Sequence, residues 1–468
     1  MSTGQVFIIF YSVFIILYFL AINLSYLVLV VISFFSIKKI TLIDKVADRD
    51  LSFRSGFFKP LSIIIPAFNE EATIVETVRS TLSLRYPDFE VIVVSDGSTD
   101  QTIEVLKETF SLSPCFDNYR AELKTKQINK IYRSAYYSNL VVIDKENGGK
   151  SDALNAGINI AQYPLFCNID SDSLVDTDAL LKVTDLFVKD WRVVAAGGTI
   201  RAANGALIKG GMVKAVKLSK KFWVRFQIVE YLRGFLFGRA GWSSIGGLLI
   251  LSGAFSVFRR KAVITAGGYL TNTIGEDMEL VLRLQRTMKR IKRPYKVQFL
   301  PDPVCWTQVP ETYGGLKTQR RRWQRGLAES LLLNFEMFLN PKYGTVGMIS
   351  YPFFIFFEFL GPVIEISGYL VLIYALACGL LNLPFVLLFF SVAVLLGVLL
   401  STAALLVEEI FYRSYPKLKD VLILFAFAIL ENFFYRQIHS WWRFLGLVDF
   451  AFKRGGWGTL SRQRFDNS

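Results

Sequence analysis

Two apolar blocks bracket this chain and restrict its fold more than any other feature. Residues 6–37 are almost unbroken apolar sequence, and residues 346–438 are nearly as hydrophobic. A bilayer core is spanned by about 20 consecutive apolar residues in a helix, so both blocks are long enough to cross one. No charged segment precedes the first block and no small-residue cleavage site follows it, which predicts an anchor and not a signal peptide. Lys38, Lys39 and Lys45 come directly after it, so the next segment is expected in the cytosol and the N-terminus outside. Roughly 270 residues of ordinary globular composition lie between the blocks.

The second block is less regular. Residues 346–381 contain Pro352 and Pro362 and carry Glu358 and Glu365, residues 384–407 form a clean span, and residues 421–434 form a shorter candidate near Glu431. The tail from Arg436 is basic and should be cytosolic, which requires an even number of crossings after the central domain. With three candidates, either 346–381 is a broken pair or one segment lies in the interface. The expected organisation is an anchor at 1–40, a cytosolic domain at 56–305, interfacial helices at 306–345, membrane segments at 346–440 and a basic cytosolic tail at 441–468.

Composition agrees. The 468 residues are 52% hydrophobic with a mean hydropathy of +0.38, too apolar for an ordinary soluble enzyme. A formal charge of +14 suits positive-inside loops and lipid phosphates. No recognition module accompanies that charge, so nucleic acid is not an expected partner. Cys115, Cys167, Cys305 and Cys378 are scattered without a C-x-x-C, which points to a reducing compartment and to neither a disulfide framework nor a zinc site. The single histidine, His439, lies beyond the central domain. A general base in that domain must then be a carboxylate, a lysine or a tyrosine.

From Leu61 onward, short β-rich runs alternate with helical spacing. Strands are predicted at 61–66, 89–95, 141–143 and 164–169, and helices at 70–84 and 152–161; residues 109–140 read as an irregular insertion. Such alternation implies a parallel α/β sheet with ligands at the carboxyl ends of its strands. Polar residues gather at those ends: Asn69 and Glu70, then Asp96, then Asp170 and Asp172. In an extended chain residues i and i+2 point to one side, so Asp170 and Asp172 can share a hard divalent cation with a phosphate. The paired glycines before Lys150 permit close backbone approach to an anion at a helix start, although a plain surface lysine reads equally well. Glu276 and Asp277 open a helix at 278–288, as dipole partners or, for Asp277, as a base. The run Gln319-Arg320-Arg321-Arg322-Trp323-Gln324-Arg325 reads as a membrane-proximal anchor, yet its tryptophan offers a flat face that suits a sugar ring. Residues 215–237, basic and aromatic, read as a helix on the membrane surface or as a core helix with a basic face.

Pro66-Ala67-Phe68-Asn69-Glu70, Asp96-Gly97-Ser98-Thr99-Asp100, Gly148-Gly149-Lys150, Asp170-Ser171-Asp172, Ser252-Gly253-Ala254-Phe255, Gly275-Glu276-Asp277 and Gln319-x-x-Arg322-Trp323 occur in this order. Together they resemble the inverting family 2 glycosyltransferases, above all the membrane-embedded synthases of cellulose, chitin, hyaluronan and poly-N-acetylglucosamine. The resemblance covers roughly residues 60–330. It implies an α/β GT-A cytosolic domain with flanking transmembrane and interfacial helices, in an integral protein of the plasma or inner membrane. It further implies that Asn69, Glu70, Asp96 and Lys150 line the nucleotide-sugar pocket. Asp170 and Asp172 would hold Mg²⁺ or Mn²⁺ against the diphosphate, with Gln319 and Arg322 meeting the donor. Ser252, Gly253 and Trp323 would border the acceptor, and Asp277, beside Glu276, would be the base.

The partners so implied are a UDP-sugar, a glycan or glycolipid acceptor, the bilayer and an unidentified secretion partner. The implied activity is processive polymerisation with export; single-sugar transfer to a lipid and a non-catalytic export scaffold are the alternatives. Glu358 and Glu365 either line a polymer path or cap the helix break at Pro362. Two departures stand out. Gly-Glu-Asp replaces the usual Thr-Glu-Asp, and the membrane part is small for a complete secretion channel.

Overall fold

The computed structural model describes residues 3–46, 58–115, 119–209, 211–380 and 383–452. Twelve strands follow in chain order: β1 (Leu61–Ala67), β2 (Phe89–Asp96), β3 (Leu112–Cys115), β4 (Ile128–Ser134), β5 (Leu140–Lys145), β6 (Leu165–Ile169), β7 (Ser173–Val175), β8 (Val193–Ala202), β9 (Leu207–Lys209), β10 (Met212–Ala215), β11 (Phe255–Arg259) and β12 (Lys296–Thr307). Ten of them form one sheet in the order β3-β4-β5-β2-β1-β6-β11-β8-β12-β7. Its centre, β5-β2-β1-β6, is parallel. Helices cover both faces there, which is why β1 and β6 are buried at every position and read as continuous apolar runs. This is the GT-A-type α/β core expected from the motif order.

The predicted central strands are β1, β2, β5 and β6, and the predicted helices become Ile74–Leu82 and Lys150–Ile160. Residues 109–140 differ from expectation. They supply β3 and β4, an antiparallel pair on the sheet edge, while residues 119–127 before β4 are irregular as expected. Edge strands are short and half-solvated, and β3 even carries Pro114, so the apolar alternation that marks a strand is weak there.

Residues 215–237 also depart from the membrane-surface reading. The helix Phe222–Leu232 continues through a π-helical segment, Arg233–Arg239, into Ala240–Ser244. Its Val224, Phe226, Leu236 and Phe237 are buried against Leu405, Leu424, Phe427 and Trp442. Most of the aromatic face meets protein, with Phe222 left 45% exposed.

Among the described residues, three helices are long and apolar enough to cross a membrane: Ile8–Leu42, Leu383–Phe411 and Leu418–Ala451. A further pair, Val346–Phe359 and Gly361–Ala377, bends by 43° at the break beside Pro362, where the ring removes a backbone donor. The tail boundary at 441 is corrected by the third helix, which runs on to Ala451. Trp442 is fully buried, and Arg321 holds Asp449 through two bonds of 2.7 and 2.6 Å. Gly446 lies so close to the Arg321 carbonyl that a Cβ would fall 2.6 Å from it. Those contacts extend the helix past the end of its apolar sequence. Residues 453–468 of the predicted tail lie outside the described residues.

Candidate active site

The carboxyl ends of β1, β2, β5 and β6 face one side of the helix Tyr313–Leu333, and a single cavity of about 1700 Å³ lies between them. Asn69, Glu70, Asp96, Lys150, Asp170, Asp172, Ser252, Gly253, Glu276, Asp277, Gln319, Arg322 and Trp323 all line it. Residues scattered over 255 positions of sequence are thus brought to one wall-to-wall space by the parallel sheet and one helix.

Loop chemistry builds the inner end. Asn69 adopts a left-handed backbone with φ 56°, a conformation asparagine tolerates better than most residues. Its Oδ1 accepts from Thr99 N at 2.8 Å and its own N–H donates to Ser98 Oγ at 3.2 Å, pinning the loop after β1 to the loop after β2. Glu70 is buried and accepts from Thr73 Oγ1 at 2.9 Å. Asp96 accepts from Lys145 Nζ at 2.5 Å, Gly148 N at 3.0 Å and Gly149 N at 2.7 Å. Much of its carboxylate is therefore engaged in fixing the glycine loop. Lys145, which sequence reasoning missed, is fully buried and also reaches Asp152 at 2.7 Å. The parallel register that sets Asp96 opposite Lys145 is the signal that points to it. Gly149, at φ 88°, turns the chain into the helix headed by Lys150.

Asp170 and Asp172 are not on an extended strand tip. They sit on a tight turn between β6 and β7, closed by Ser173 N donating to Asp170 O at 3.0 Å. The turn, not strand alternation, is what delivers both to the cavity. Lys150 Nζ lies 2.6 Å from Asp170 and 3.1 Å from Glu276. Burial alone would depress the Lys150 ammonium, but Asp170 and Glu276 push it up. Burial and then the Asp170 charge push Asp172 up to about 7, against the pull of Lys150, and burial likewise raises Glu276. Two acidic groups that repel each other in a half-closed site suit a divalent cation. Among the described residues no third metal-type side chain joins them, so a cation held there would need further ligands from diphosphate or water.

On the other wall, Asp277 occupies the first turn of Glu276–Arg290. Its Oδ1 accepts from Met278 N at 2.8 Å. A Cβ on Gly253 would fall 3.1 Å from Lys150 Nζ and 3.8 Å from Asp277 Oδ2, so the missing side chain keeps the space between the Lys150 ammonium and the Asp277 carboxylate open. Asn168 Nδ2 anchors that segment through Gly253 O at 2.9 Å. The Gly275 departure now has a reason. A Cβ on Gly275 would lie 2.5 Å from Gly326 O, and one on Gly326 would lie 2.8 Å from Gly275 Cα. Two backbones touch at this point, which locks the Glu276–Asp277 turn to the helix Tyr313–Leu333.

That helix starts at Thr312, whose side chain accepts from Gly315 N. Gln319, Arg322, Trp323 and Gly326 recur at helical spacing and so share the cavity face. Gln319 Oε1 is buried without a hydrogen-bond partner among the described residues, while Trp323 is 43% exposed. The basic run is no surface anchor: Arg320 is buried against Glu230 and Arg321 is tied to Asp449. Arg239, also missed, lies at the end of the π-helical segment with its guanidinium 4.0 Å over Phe235. Burial pulls it down to about 10, opposed by Asp277.

Past Trp323 the cavity continues between the apolar helices, lined by Glu230, Arg233, Glu358, Glu365, His439, Ser440 and Arg443. Glu358 pairs with Arg443 at 2.8 Å and accepts from Tyr26, and Glu365 accepts from Ser440. Both glutamates reach the cavity instead of merely capping the helix break.

The geometry is matched by known families. The description "Glycosyl transferase family group 2" fits residues 165–430, and "Glycosyl transferase family 2" fits residues 62–122. The poly-beta-1,6-N-acetyl-D-glucosamine synthases of Staphylococcus aureus strain COL and of Staphylococcus epidermidis are each 29% identical over 283 residues, 60% of this chain and 58% of theirs. The chain thus matches less than two thirds of the length of those relatives. A mannosyltransferase from Pyrobaculum calidifontis, solved with GDP-Man and Mn²⁺, shares the fold with a TM-score of 0.52 at 18% identity, covering 90% of this chain and 99% of its own. With more than half of its residues matched as one block, the chain belongs to the glycosyl transferase family group 2.

Proposed function

We propose that this glycosyltransferase is a processive membrane enzyme that polymerises a UDP-activated hexose or N-acetylhexosamine into a β-linked polysaccharide and passes it outward. The observation that carries the reading is the continuity of the cavity from Asp170, Asp172 and Asp277, past Trp323, to Glu358, Glu365 and Ser440. A nucleotide-sugar alone does not need such a volume, since ordinary ligand sites hold about 300–1,000 Å³. Its membrane end sets Glu358, Glu365, Ser440 and Arg443 beside aromatic rings such as Phe353 and Phe357, a mix of polar groups and flat faces that suits a hydrated sugar chain. The names of the staphylococcal relatives make N-acetylglucosamine the first sugar to test.

In this reading the acceptor lies on Trp323, and its hydroxyl gives its proton to Asp277 as the oxygen attacks the anomeric carbon. The bond from that carbon to the diphosphate oxygen breaks, and its electron pair leaves on UDP. Attack opposite the leaving group inverts the anomeric centre, so an α-linked donor gives a β-linked product. Arg322 and Lys150 neutralise the diphosphate from two sides. Mg²⁺ or Mn²⁺, held by Asp170 and Asp172, would stabilise the charge on the departing diphosphate.

The catalytic domain is assigned to the cytosol. Along Ile8–Leu42, Tyr26 meets Glu358, Tyr18 meets the Phe356 carbonyl and Tyr11 meets Ser367, so the bent pair runs outward. Phe19 then meets Phe389 and Phe34 meets Phe411, so Leu383–Phe411 returns. Leu418–Ala451 packs on the domain through Phe427 on Phe226, Tyr435 on Glu230 and Asp449 on Arg321 and on the apolar helices through Glu431 on Ser401 and Phe433 on Phe390, and in this reading it is an interfacial helix that does not cross. Two crossings after the domain satisfy the even count demanded by a cytosolic tail.

The test offers purified protein a panel of UDP-hexoses and UDP-N-acetylhexosamines with Mn²⁺, Mg²⁺ or chelator, and sizes the product. Metal-dependent UDP release with a growing polymer is expected. Release only when a lipid acceptor is added would replace polymerisation by single transfer.

A further inference from the structure

We propose that Arg320 is a positioning residue for the acceptor platform, and that the helix Leu418–Ala451 sets it through Tyr435 and Glu230. The proposal rests on the reading of Trp323 as the surface that holds the acceptor sugar.

Arg320 is 1% exposed, and its guanidinium carbon lies 4.1 Å from the centre of the Trp323 ring. The Tyr231 ring stands 6.5 Å from the same indole at 29°, and Tyr231 and Trp323 line the cavity together. Arg320 Nη2 donates to Glu230 Oε2 at 2.7 Å, and the Tyr435 hydroxyl is a second hydrogen-bonding neighbour of the same guanidinium. Its Nε and Nη1 are buried and have no hydrogen-bond partner among the described residues. The orientation of the stacked plane therefore depends on where Glu230 and Tyr435 are held. That same Oε2 accepts from the Tyr435 hydroxyl at 2.9 Å. Tyr435 in turn is stacked on Phe226 at 4.7 Å and 7°, one turn before Glu230. Three helices thus meet at one carboxylate.

A half-exposed tryptophan on a helix face can adopt several rotamers, and each would aim the platform differently. The flat cation over the indole favours one of them by stacking plane on plane, a geometry that a guanidinium has and an ammonium, which only attracts the ring as a point charge, lacks. The neighbouring arginines have other tasks, Arg321 on Asp449 and Arg325 on Glu329. What Arg320 holds in place is the ring, and the ring is what the acceptor touches.

The experiment measures initial rates in the full-length protein while a short oligosaccharide of its own product, and separately the donor, is varied. Arg320→Lys keeps the charge that Glu230 requires but loses the planar stack. It should raise the acceptor KM by about fivefold, the scale of one cation–π contact on a partly exposed ring, and leave the donor KM unchanged. Tyr435→Phe leaves the ion pair intact and should shift the acceptor KM in the same direction by less, so it reads the coupling even if Arg320→Lys does not fold. In a Trp323→Ala background, Arg320→Lys should add nothing. Full additivity in that background, or equal changes in donor and acceptor KM, overturns the positioning role alone. A Trp323→Ala protein with an unchanged acceptor KM overturns the platform reading and this proposal with it.

Discussion

The contact between Gly275 and Gly326 makes a quantitative prediction. In Gly275→Ala the new Cβ would lie 2.5 Å from Gly326 O, 2.8 Å from Gly326 C and 2.8 Å from Ser330 Oγ. Two of these are backbone atoms in the middle of a 21-residue helix, so no side chain can swing away. Restoring the shortest contact to an ordinary 3.4 Å requires about 0.9 Å of movement between the helix and the Glu276–Asp277 turn. Overpacking of this kind costs about 1–3 kcal/mol of stability. The larger effect is on geometry, because Arg322 and Trp323 lie one turn from Gly326 and Asp277 lies two residues from Gly275. A misplacement near 1 Å between reacting groups costs on the order of 100-fold in rate. A steady-state assay of UDP release should show kcat down by about 10- to 100-fold with donor binding retained. Gly326→Ala should produce the same kinetic loss with a smaller fall in Tm, since alanine returns about 1 kcal/mol of helix propensity. Wild-type kcat in Gly275→Ala would refute the argument that this contact sets the site.

Three further outcomes follow from other parts of the structure. Lys145→Met leaves Asp96 and Asp152 buried beside a lost cation and should destabilise the protein by about 3–5 kcal/mol, read by denaturation in detergent; a loss under about 1 kcal/mol would contradict the pairing. Asp172 is raised to about 7 in the metal-free protein, so it is protonated below that pH and a cation must displace the proton. Mn²⁺ affinity measured by calorimetry should therefore weaken by about tenfold per pH unit below 7 and level off above it; a flat profile from pH 5 to 8 would count against Asp172 as a ligand. Cys378, exposed at the end of Gly361–Ala377, should react with an impermeant maleimide on intact cells, whereas Ser414→Cys should react only after permeabilisation. Reversed labelling would invert the topology.

The site was legible in the sequence because its residues carry chemistry in short, ordered motifs. The apolar runs of β1 and β6 followed by Asn69 and by Asp170 placed polar groups at strand ends, and the fold delivers them there. The mechanism of delivery was less legible. Asp170 and Asp172 converge through a turn whose closing bond is between backbone atoms, which no side-chain pattern records. Arg320 was hidden inside a basic run, since burial against Glu230 depends on an ion pair 90 residues apart. The helix Leu418–Ala451 extends beyond its apolar stretch because Trp442 and Gly446 pack on another helix, a tertiary effect that outweighs hydropathy. Gly275 read as a departure until the backbone of Gly326 was found against it.

The central claim is that Asp277 removes the acceptor proton in a cavity that binds donor and acceptor together. Asp277→Asn tests it most directly, with transfer followed as polymer formed per enzyme and UDP-sugar affinity measured by calorimetry on the same preparation. The account predicts donor affinity within about threefold of wild type and transfer reduced by at least about 100-fold, the contribution of a positioned base. Normal turnover by Asp277→Asn would contradict it.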